Sequence, residues 1–243
     1  LVSERPDART TVSQALEKQR AALVMGPSGS GKSALMWETA HMMRHTVRWF
    51  RVRRMAVQDI PALRQLIRAM RPSEASPIGF VMDDVGRQGP EAWTAFLKEI
   101  ASLPEVLLLG SIREEDIFLV AERARVAEIR SDADNALAER LWLELKESQN
   151  TQWPGWREPW KLSNGLLLEY VHILTRGKRL NEVLADQVQA RIADADRDLE
   201  LDILRLGAWA GSAGARVDTG KLANILSCSD AELSRALHRL VDE

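Results

Sequence analysis

The chain has 243 residues, which is enough for one large domain or two small ones with buried cores. Apolar residues make up 45% and charged residues 28%, a composition that is ordinary for a globular protein and excludes a disordered chain. The formal net charge of −2 excludes a surface that is polycationic throughout, and no apolar run approaches the roughly 18 residues of a membrane helix. The single cysteine, Cys228, excludes an internal disulfide framework and fits a reducing cytoplasm.

The first 130 residues alternate short apolar runs with amphipathic helical patterns. The apolar runs predict strands at residues 21–25, 47–52, 78–82, 106–109 and 126–129. Helical spacing predicts helices at residues 34–43, 58–70 and 91–101. Strands that alternate with helices favour an α/β fold with a mainly parallel sheet.

After Ser131 the pattern becomes helical, with breaks at proline and glycine. Helices are predicted in the last block at residues 199–210, 221–226 and 230–240, with a short extended Arg216-Val217 between the first two. The tight turn between the last two helices indicates a helix-turn-helix arrangement. We therefore expect three domains, an α/β core at 1–130, a helical lid at 131–196 and a helix-turn-helix domain at 197–243.

A loop rich in glycine and serine follows the first predicted strand and precedes a helix. It matches the pattern G-x-x-x-x-G-K-[ST] in full, as Gly26-Pro27-Ser28-Gly29-Ser30-Gly31-Lys32-Ser33. Glycines let backbone N–H groups face phosphate oxygens at the positive end of the following helix. We expect Lys32 to neutralise the β- and γ-phosphates, Ser33 to ligate Mg²⁺ and Ala34 to complete the nucleotide-binding segment.

Two aspartates follow the third predicted strand, where a phosphate-binding loop needs a second acidic group for the metal. We expect Asp83 to hold Mg²⁺ through water and Asp84 to orient or deprotonate the attacking water. Asp83 lies 51 residues after Lys32, with a complete strand and helix between them. This spacing leaves room for an intervening strand in the sheet, as in ATPases that add a catalytic acid.

An arginine, Arg113, follows a predicted polar turn after the fourth strand. Ligands of an open α/β sheet bind at the carboxyl ends of its strands. Arg113 is therefore predicted to sense the γ-phosphate, and the alternative is a surface arginine paired with Glu114 or Glu115.

Together, these features resemble the signal-transduction ATPases with numerous domains (STAND), which include NB-ARC and NACHT proteins and bacterial antiviral sensors. The resemblance covers essentially the whole chain. It implies an α/β fold with a P-loop NTPase (ASCE/AAA-like) parallel sheet core, followed by an all-α lid and a partial winged-helix domain. Carried over by position, Lys32 and Ser33 are the Walker A pair, Asp83 and Asp84 are the Walker B pair, and Arg113 is similar to the sensor-1 arginine.

Two further segments match the family by position. Asn164-Gly165-Leu166-Leu167-Leu168 occupies the place of the Gly-x-Pro lid motif, whose proline packs on adenine. Leu167 or Leu168 replaces that proline, so the resemblance implies base packing by this turn. The N-terminal Val-x-Arg-like segment of the family corresponds to residues 2–5.

The resemblance also implies a function, that of a slow ATPase acting as a switch. ADP would favour a closed monomer, whereas ATP with Mg²⁺ would favour an open form that assembles into a homo-oligomer and brings fused effector domains together. It further implies bacterial antiviral defence, with a phage protein as the trigger. Because the chain starts without methionine and stops in mid-pattern, we expect the effector and sensor domains to lie outside this segment.

Two other functions are open at this point. Helix-turn-helix domains often bind DNA, but residues 197–243 carry six basic and eight acidic residues, a balance that disfavours a DNA reader. A DNA-associated AAA+-like ATPase of the replication-initiator or transposition-helper type is the alternative, although Asp84 stands where that group typically has glutamate. A plain P-loop kinase is disfavoured by the intervening strand and the extra domain.

Two other clusters have a structural interpretation. A basic cluster surrounds the second predicted strand and is interpreted as a solvated sheet edge or a subunit contact, with an arginine finger as the alternative; its members are Arg44, Arg48, Arg51, Arg53 and Arg54. Three tryptophans in a segment broken by proline and glycine are predicted to anchor a long loop onto the lid; they are Trp153, Trp156 and Trp160.

Overall fold

The computed structural model describes residues 5–213, 215 and 217–242. The chain separates into two compact units, the first ending at Gly177 and the second beginning at Lys178. The division into three domains at residues 130 and 196 stays a prediction. No helix among the described residues is both long enough and apolar enough to span a bilayer.

Five parallel strands form the sheet of the first unit. They are β1 (Ala21–Gly26), β2 (Arg48–Val52), β3 (Ile78–Met82), β4 (Val106–Arg113) and β5 (Ala127–Arg130). Their order across the sheet is β2-β3-β4-β1-β5, so that β4 lies between β1 and β3. The α/β fold class is confirmed, and the strand inserted between the phosphate-binding loop and the paired aspartates is present.

Eight helices of the first unit flank or extend this sheet. They are α1 (Pro6–Gln19), α2 (Lys32–Met42), α3 (Ile60–Met70), α4 (Val85–Gln88), α5 (Pro90–Ile100), α6 (Asn135–Glu147), α7 (Arg157–Leu162) and α8 (Leu167–Arg176). One face of the sheet packs on α1 and α2 through residues such as Leu16 and Leu35. The other packs on α3 through Ile67 and on α5 through Trp93 and Phe96. The sheet is therefore covered on both faces, as parallel sheets require.

The helices that follow β5 in the first unit, which the sequence assigns to the predicted lid, have an apolar core of their own, formed by α6 and α8 around the buried Tyr170. The predicted tryptophan anchors lie against it. Trp153 donates its indole N–H to the carbonyl of Ile173, and Trp160 packs edge-on against Tyr170 with ring centroids 5.1 Å apart. The tryptophan-rich loop is thus fixed to the lid by side-chain packing and indole hydrogen bonds.

The fourth strand is longer than its apolar run. A polar turn was expected after Leu109, but β4 continues to Arg113, and its residue Ser111 pairs with Val24 of β1. Gly110 permits this continuation because a Cβ there would lie 2.6 Å from the Trp93 ring. The prediction was wrong because the apolar pattern stops where the strand reaches the polar end of the sheet.

The described residues of the second unit form four α-helices, α9 (Leu180–Ile192), α10 (Asp198–Ser212), α11 (Thr219–Ile225) and α12 (Asp230–Asp242). A short connection joins α11 to α12, as in the predicted helix-turn-helix. Of the extended pair predicted before α11, Arg216 lies outside the described residues and Val217 has no regular structure.

A buried carboxylate, Glu200, connects several elements of the second unit through arginine side chains. Only 1% of its side chain is exposed, and its Oε2 accepts hydrogen bonds from Arg197 Nη2 at 2.6 Å and Arg191 Nε at 3.2 Å. Arg239 of α12 lies 3.6 Å from the other oxygen. Burial alone would raise the pKa of Glu200, but the hydrogen bonds and charges of Arg197 and Arg191 hold the pKa below its ordinary value.

Replacing Glu200 by glutamine is expected to destabilise the second unit by about 3 kcal/mol, because it leaves buried arginines without their counter-charge. Since the pKa of Glu200 is lowered on folding, this stabilisation is fully present above the ordinary glutamate pKa of 4.5 and is lost as pH falls through the lower folded pKa. Amide hydrogen exchange of α10 in the whole chain measures the loss of stability. Asp202→Asn, which removes an exposed partner of Arg205, is the control. It should change the free energy of opening, as measured by exchange, by less than about 0.5 kcal/mol. Equal protection in the two variants would contradict the prediction.

Candidate nucleotide-binding site

The phosphate-binding loop connects β1 to α2 and adopts backbone conformations that favour glycine. Gly29 and Gly31 have φ values of +80° and +83°. At Gly31 a Cβ would also lie 2.2 Å from the guanidinium of Arg5 and 2.9 Å from Leu167. The loop therefore needs its glycines both for backbone conformation and for the close approach of neighbouring side chains.

Lys32 lies at the start of α2 and is 9% exposed. Its Nζ donates a hydrogen bond to the carbonyl oxygen of Pro27, at 2.8 Å, across the loop that it is predicted to serve. Burial and then the nearby positive charge of Arg113 lower the pKa of Lys32, against the opposing effect of Asp84. A negatively charged ligand in this loop would relieve the repulsion between the two cations.

The predicted metal ligands lie in direct contact. Ser33 Oγ donates to Asp83 Oδ1 at 2.7 Å, although the two residues are far apart in sequence. Ser111 of β4 donates its hydroxyl to the same carboxylate oxygen, and it accepts from the backbone N–H of Asp84 at 3.0 Å. A hydroxyl and a carboxylate together form the oxygen donor set that Mg²⁺ prefers, so the residues present fit that ion.

Ser111 was not predicted as a site residue, and the structure shows why it belongs to the site. It is 1% exposed and lies in the inserted strand β4, between the strands that carry the loop and the aspartates. Its hydroxyl orients Asp83 and the backbone of Asp84. The available sequence signal was a single serine within an otherwise apolar strand.

Asp84 and Arg113 form a second pair at the same end of the sheet. Asp84 has a left-handed backbone with φ of +51°, and Arg113 Nε lies 3.7 Å from its Oδ1. Arg113 also lies 4.0 Å from Glu115. Arg113, the predicted sensor, thus lies beside Asp84, the predicted base. The alternative pairing of Arg113 with Glu115 is present as well.

A cavity of about 360 Å³ adjoins the loop. The residues that line it come from the loop, α2, α6 and α8; they include Gly29, Gly31, Lys32, Ser33, Ala34, Leu137, Leu141, Leu167, Leu168 and Val171. The backbone N–H of Leu168 donates to the carbonyl of Gly29 at 3.0 Å, which joins α8 to the loop. Leu167 is therefore in the cavity wall, and its contact with a base stays a prediction.

Arg5 extends the site from the N-terminal side. It is 8% exposed; Nη1 donates to Ser131 Oγ at 2.9 Å and Nη2 donates to the carbonyl of Gly31 at 3.1 Å. Ser131 follows β5 and donates to the carbonyl of Ser30 at 3.3 Å. Arg5 belongs to the predicted Val-x-Arg-like segment, whose residues 2–4 lie outside the described residues.

Replacing Arg5 by lysine is expected to lower the free energy of unfolding by about 1–2 kcal/mol, because one ammonium group cannot reach both acceptors of the guanidinium fork. Urea unfolding of the whole chain measures the loss. Arg20→Lys, at the left-handed C-cap of α1, is the matched control and should change stability by less than about 0.5 kcal/mol. Two variants of equal stability would refute this role for Arg5.

Comparison with known proteins identifies the fold. No family model and no curated protein matches the chain. ORC1 from Aeropyrum pernix, in a structure with DNA, has a TM-score of 0.51 at 13% identity, covering 99% of this chain and 83% of that one. A single-residue variant of RuvB from Thermotoga maritima has a TM-score of 0.50 at 14% identity, covering 95% and 84%. This chain has an AAA+-like P-loop NTPase fold. At these identities the likeness concerns the fold alone.

The AAA+-like fold brings most of the predicted site together. Lys32, Ser33, Asp83, Asp84 and Arg113 meet at the carboxyl ends of β1, β3 and β4. Within the loop, Pro27 and Ser28 are exposed, whereas Gly26 and Ser30 are buried. The predicted roles of these residues in binding and hydrolysis are taken up in the proposal below.

Proposed function

We propose that this chain is an ATP-operated switch module, an ATPase that binds ATP with Mg²⁺ and hydrolyses it slowly. The observation that carries the proposal is the hydrogen bond from Leu168 N–H to the Gly29 carbonyl, because it links the phosphate-binding loop directly to the lid helix α8. A ligand that rearranges the loop would change the position of α8. Occupancy of the site is thereby coupled to lid conformation.

The chemistry of the site supports ATP as the ligand. Lys32 and the loop backbone would hold the β- and γ-phosphates, and Ser33 with Asp83 would hold Mg²⁺. The apolar wall formed by Leu137, Leu141 and Leu167 suits the base. Bound Mg²⁺ would neutralise charge that develops on the transferred phosphate.

Arg113 and Asp84 are the residues that would distinguish bound ATP from bound ADP. Their separation of 3.7 Å is longer than a hydrogen bond, so Arg113 is available to a γ-phosphate without breaking a tight ion pair. Transfer of Arg113 to that phosphate would leave Asp84 able to orient the attacking water. This exchange of partners would report the presence of the γ-phosphate.

The further features of the switch come from the STAND resemblance. In that scheme ADP maintains a closed monomer, and ATP drives assembly of copies that bring fused effector domains together. The biological setting that we propose is bacterial antiviral defence, with a phage protein as the trigger.

The deciding experiment measures bound nucleotide and mass together. The purified chain is denatured to identify any nucleotide that copurified, and its mass is then measured by light scattering with ADP or a non-hydrolysable ATP analogue. Retained ADP, a monomer with ADP and an assembly with the analogue would support the switch. A chain that is purified empty, turns ATP over rapidly and stays monomeric would exclude it.

A DNA-associated ATPase is the second candidate, favoured by the fold likeness to ORC1. In that case duplex DNA would bind through the helix-turn-helix of the second unit. The acidic balance of residues 197–243 opposes this placement. Strongly salt-dependent binding of duplex DNA, lost on Arg235→Ala with Arg239→Ala, would support the second candidate.

A further inference from the structure

Five arginines form a basic surface on the first unit, which we call the arginine edge. It comprises Arg44, Arg48, Arg51, Arg53 and Arg54, and all five are exposed. They belong to the segment after α2, to the edge strand β2 and to the segment that follows it. From residue 39 to residue 58 the sequence contains no acidic residue, so this surface is strongly positive in a chain whose net charge is −2.

The charges of the arginine edge are not neutralised within the described part of the chain. None of the five forms an ion pair there. Arg44 donates to the backbone carbonyl of His41, and the guanidinium of Arg51 lies over the Trp37 ring, 5.3 Å from its centroid. By contrast, the exposed Lys178 Nζ lies 2.8 Å from Asp186 Oδ2. Like charges held together without counter-charges favour an anionic ligand.

Protection of the sheet edge accounts for only part of this cluster. Charged residues on an edge strand prevent pairing with other chains, and β2 is an edge strand. Within β2 only Arg48 and Arg51 serve that purpose. Arg44 precedes the strand, and Arg53 and Arg54 follow it, so the positive surface extends past both ends of the edge.

An aromatic cavity adjoins the arginine edge. Its volume is about 740 Å³, and its lining includes Trp37, His41, Met42, Arg44 and Glu38. Trp37 is half-buried and presents an aromatic wall, while Arg44 is shared between the cavity and the edge. The lining carries the carboxylate of Glu38 together with the cations Arg9 and Arg44, so it is not uniformly positive, and its aromatic wall suits a flat ring.

We propose that the arginine edge and this cavity bind single-stranded nucleic acid, with phosphates on the arginines and a base in the cavity. Single strands bind where a positive groove follows the backbone and aromatic side chains receive bases. A duplex keeps its bases stacked inside the helix and cannot place one beside Trp37. The site is separate from the helix-turn-helix and does not depend on the proposed ATP switch.

The test measures fluorescence anisotropy of a labelled oligo-dT of about 20 nucleotides with the whole chain, between about 50 and 200 mM salt. Each single-strand phosphate contact contributes about −0.7 to the slope of log affinity against log salt. The triple variant Arg48→Ala, Arg53→Ala, Arg54→Ala should therefore lose about 2 from the slope and at least about 10-fold in affinity at low salt. All three residues are exposed, and none of them lines the cavity beside the phosphate-binding loop.

The matched control removes the same charge elsewhere, through Lys18→Ala, Lys161→Ala and Arg176→Ala, which are also exposed. It should leave affinity within about 2-fold, because none of the three residues belongs to the arginine edge or lines the cavity beside it. An oligonucleotide without bases should bind the unchanged protein at least about 5-fold more weakly than oligo-dT, since base stacking on an aromatic ring is lost. Lys32→Ala should bind oligo-dT normally, which separates this site from the nucleotide site.

Four results would overturn the whole proposal, and a fifth would overturn its cavity. The four are no binding at low salt, an equal loss in the control triple variant, duplex DNA bound as tightly as the single strand, and polyglutamate competing equally at the same charge. The third and fourth would assign the surface to a duplex or to an acidic protein. Equal binding of the base-free strand would remove the cavity from the site and overturn the proposal as stated.

Discussion

Lys32→Ala should weaken ATP binding by about 100-fold. Its ammonium group is held at the loop by the Pro27 carbonyl at 2.8 Å, where it is positioned to meet two phosphates. Hydrogen bonds to charged partners contribute about 1.5–3 kcal/mol each, and about 2.7 kcal/mol corresponds to 100-fold in affinity. Isothermal titration calorimetry with a non-hydrolysable ATP analogue measures the change directly.

Lys18→Ala is the control for this measurement, because Lys18 is an exposed lysine in the last turn of α1. It should bind the analogue with unchanged affinity. Thermal unfolding without nucleotide checks that Lys32→Ala is folded, and we expect little loss since Lys32 and Arg113 repel each other. An affinity for the analogue that is the same in both variants would show that this loop does not bind ATP.

Asp84→Asn should lower kcat for ATP hydrolysis by about 100-fold, while the affinity for ATP changes by less than about 3-fold. The carboxylate is assigned to orienting or deprotonating the attacking water, and loss of such a group costs about 10²–10⁴-fold in rate. The amide keeps the shape of the side chain and the backbone hydrogen bond to Ser111. Single-turnover hydrolysis with prebound ATP separates the chemical step from binding.

Glu115→Gln gives a matched comparison, since Glu115 is an exposed carboxylate 4.0 Å from the same arginine. It should hydrolyse ATP at a rate within about 3-fold of the unchanged chain, because its only assigned partner is Arg113. Unaltered turnover in Asp84→Asn would transfer the catalytic role to another group. An equal loss in both variants would show that charge around Arg113, and not the position of Asp84, determines the rate.

The sequence predicted the parts of the fold whose physical causes are local. Apolar runs bounded by glycine, proline or aspartate locate the strands, and β3 has the predicted bounds, Ile78–Met82. The loop from Gly26 to Ser33 is found from its glycines and its lysine because phosphate binding requires those residue types at that spacing. The separation of 51 residues between Lys32 and Asp83 left room for a strand between β1 and β3, and β4 lies there.

The features that were missed depend on tertiary contacts. Helix α1 was not predicted because only Val12 and Leu16 among its residues are buried, which is too few for an apolar period. Ser111 gave no pattern of its own, since its role arises from contact with Asp83 on another strand. The continuation of β4 to Arg113 likewise depends on pairing with β1. Residues distant in sequence supply these causes, so no local window contains them.

The hydrogen bond between Leu168 and Gly29 joins main-chain atoms only. Gly29 supplies the acceptor from a left-handed backbone that favours glycine, whereas a side-chain substitution at Leu168 leaves the donor in place, with one exception. Proline has no backbone N–H, so Leu168→Pro would remove the bond itself. Counted from Gly165, the proline of the Gly-x-Pro pattern would stand at Leu167, which lines the cavity, whereas the amide that attaches α8 to the loop belongs to the next residue. Substitution at position 168 is therefore limited by the backbone N–H, which every residue except proline has.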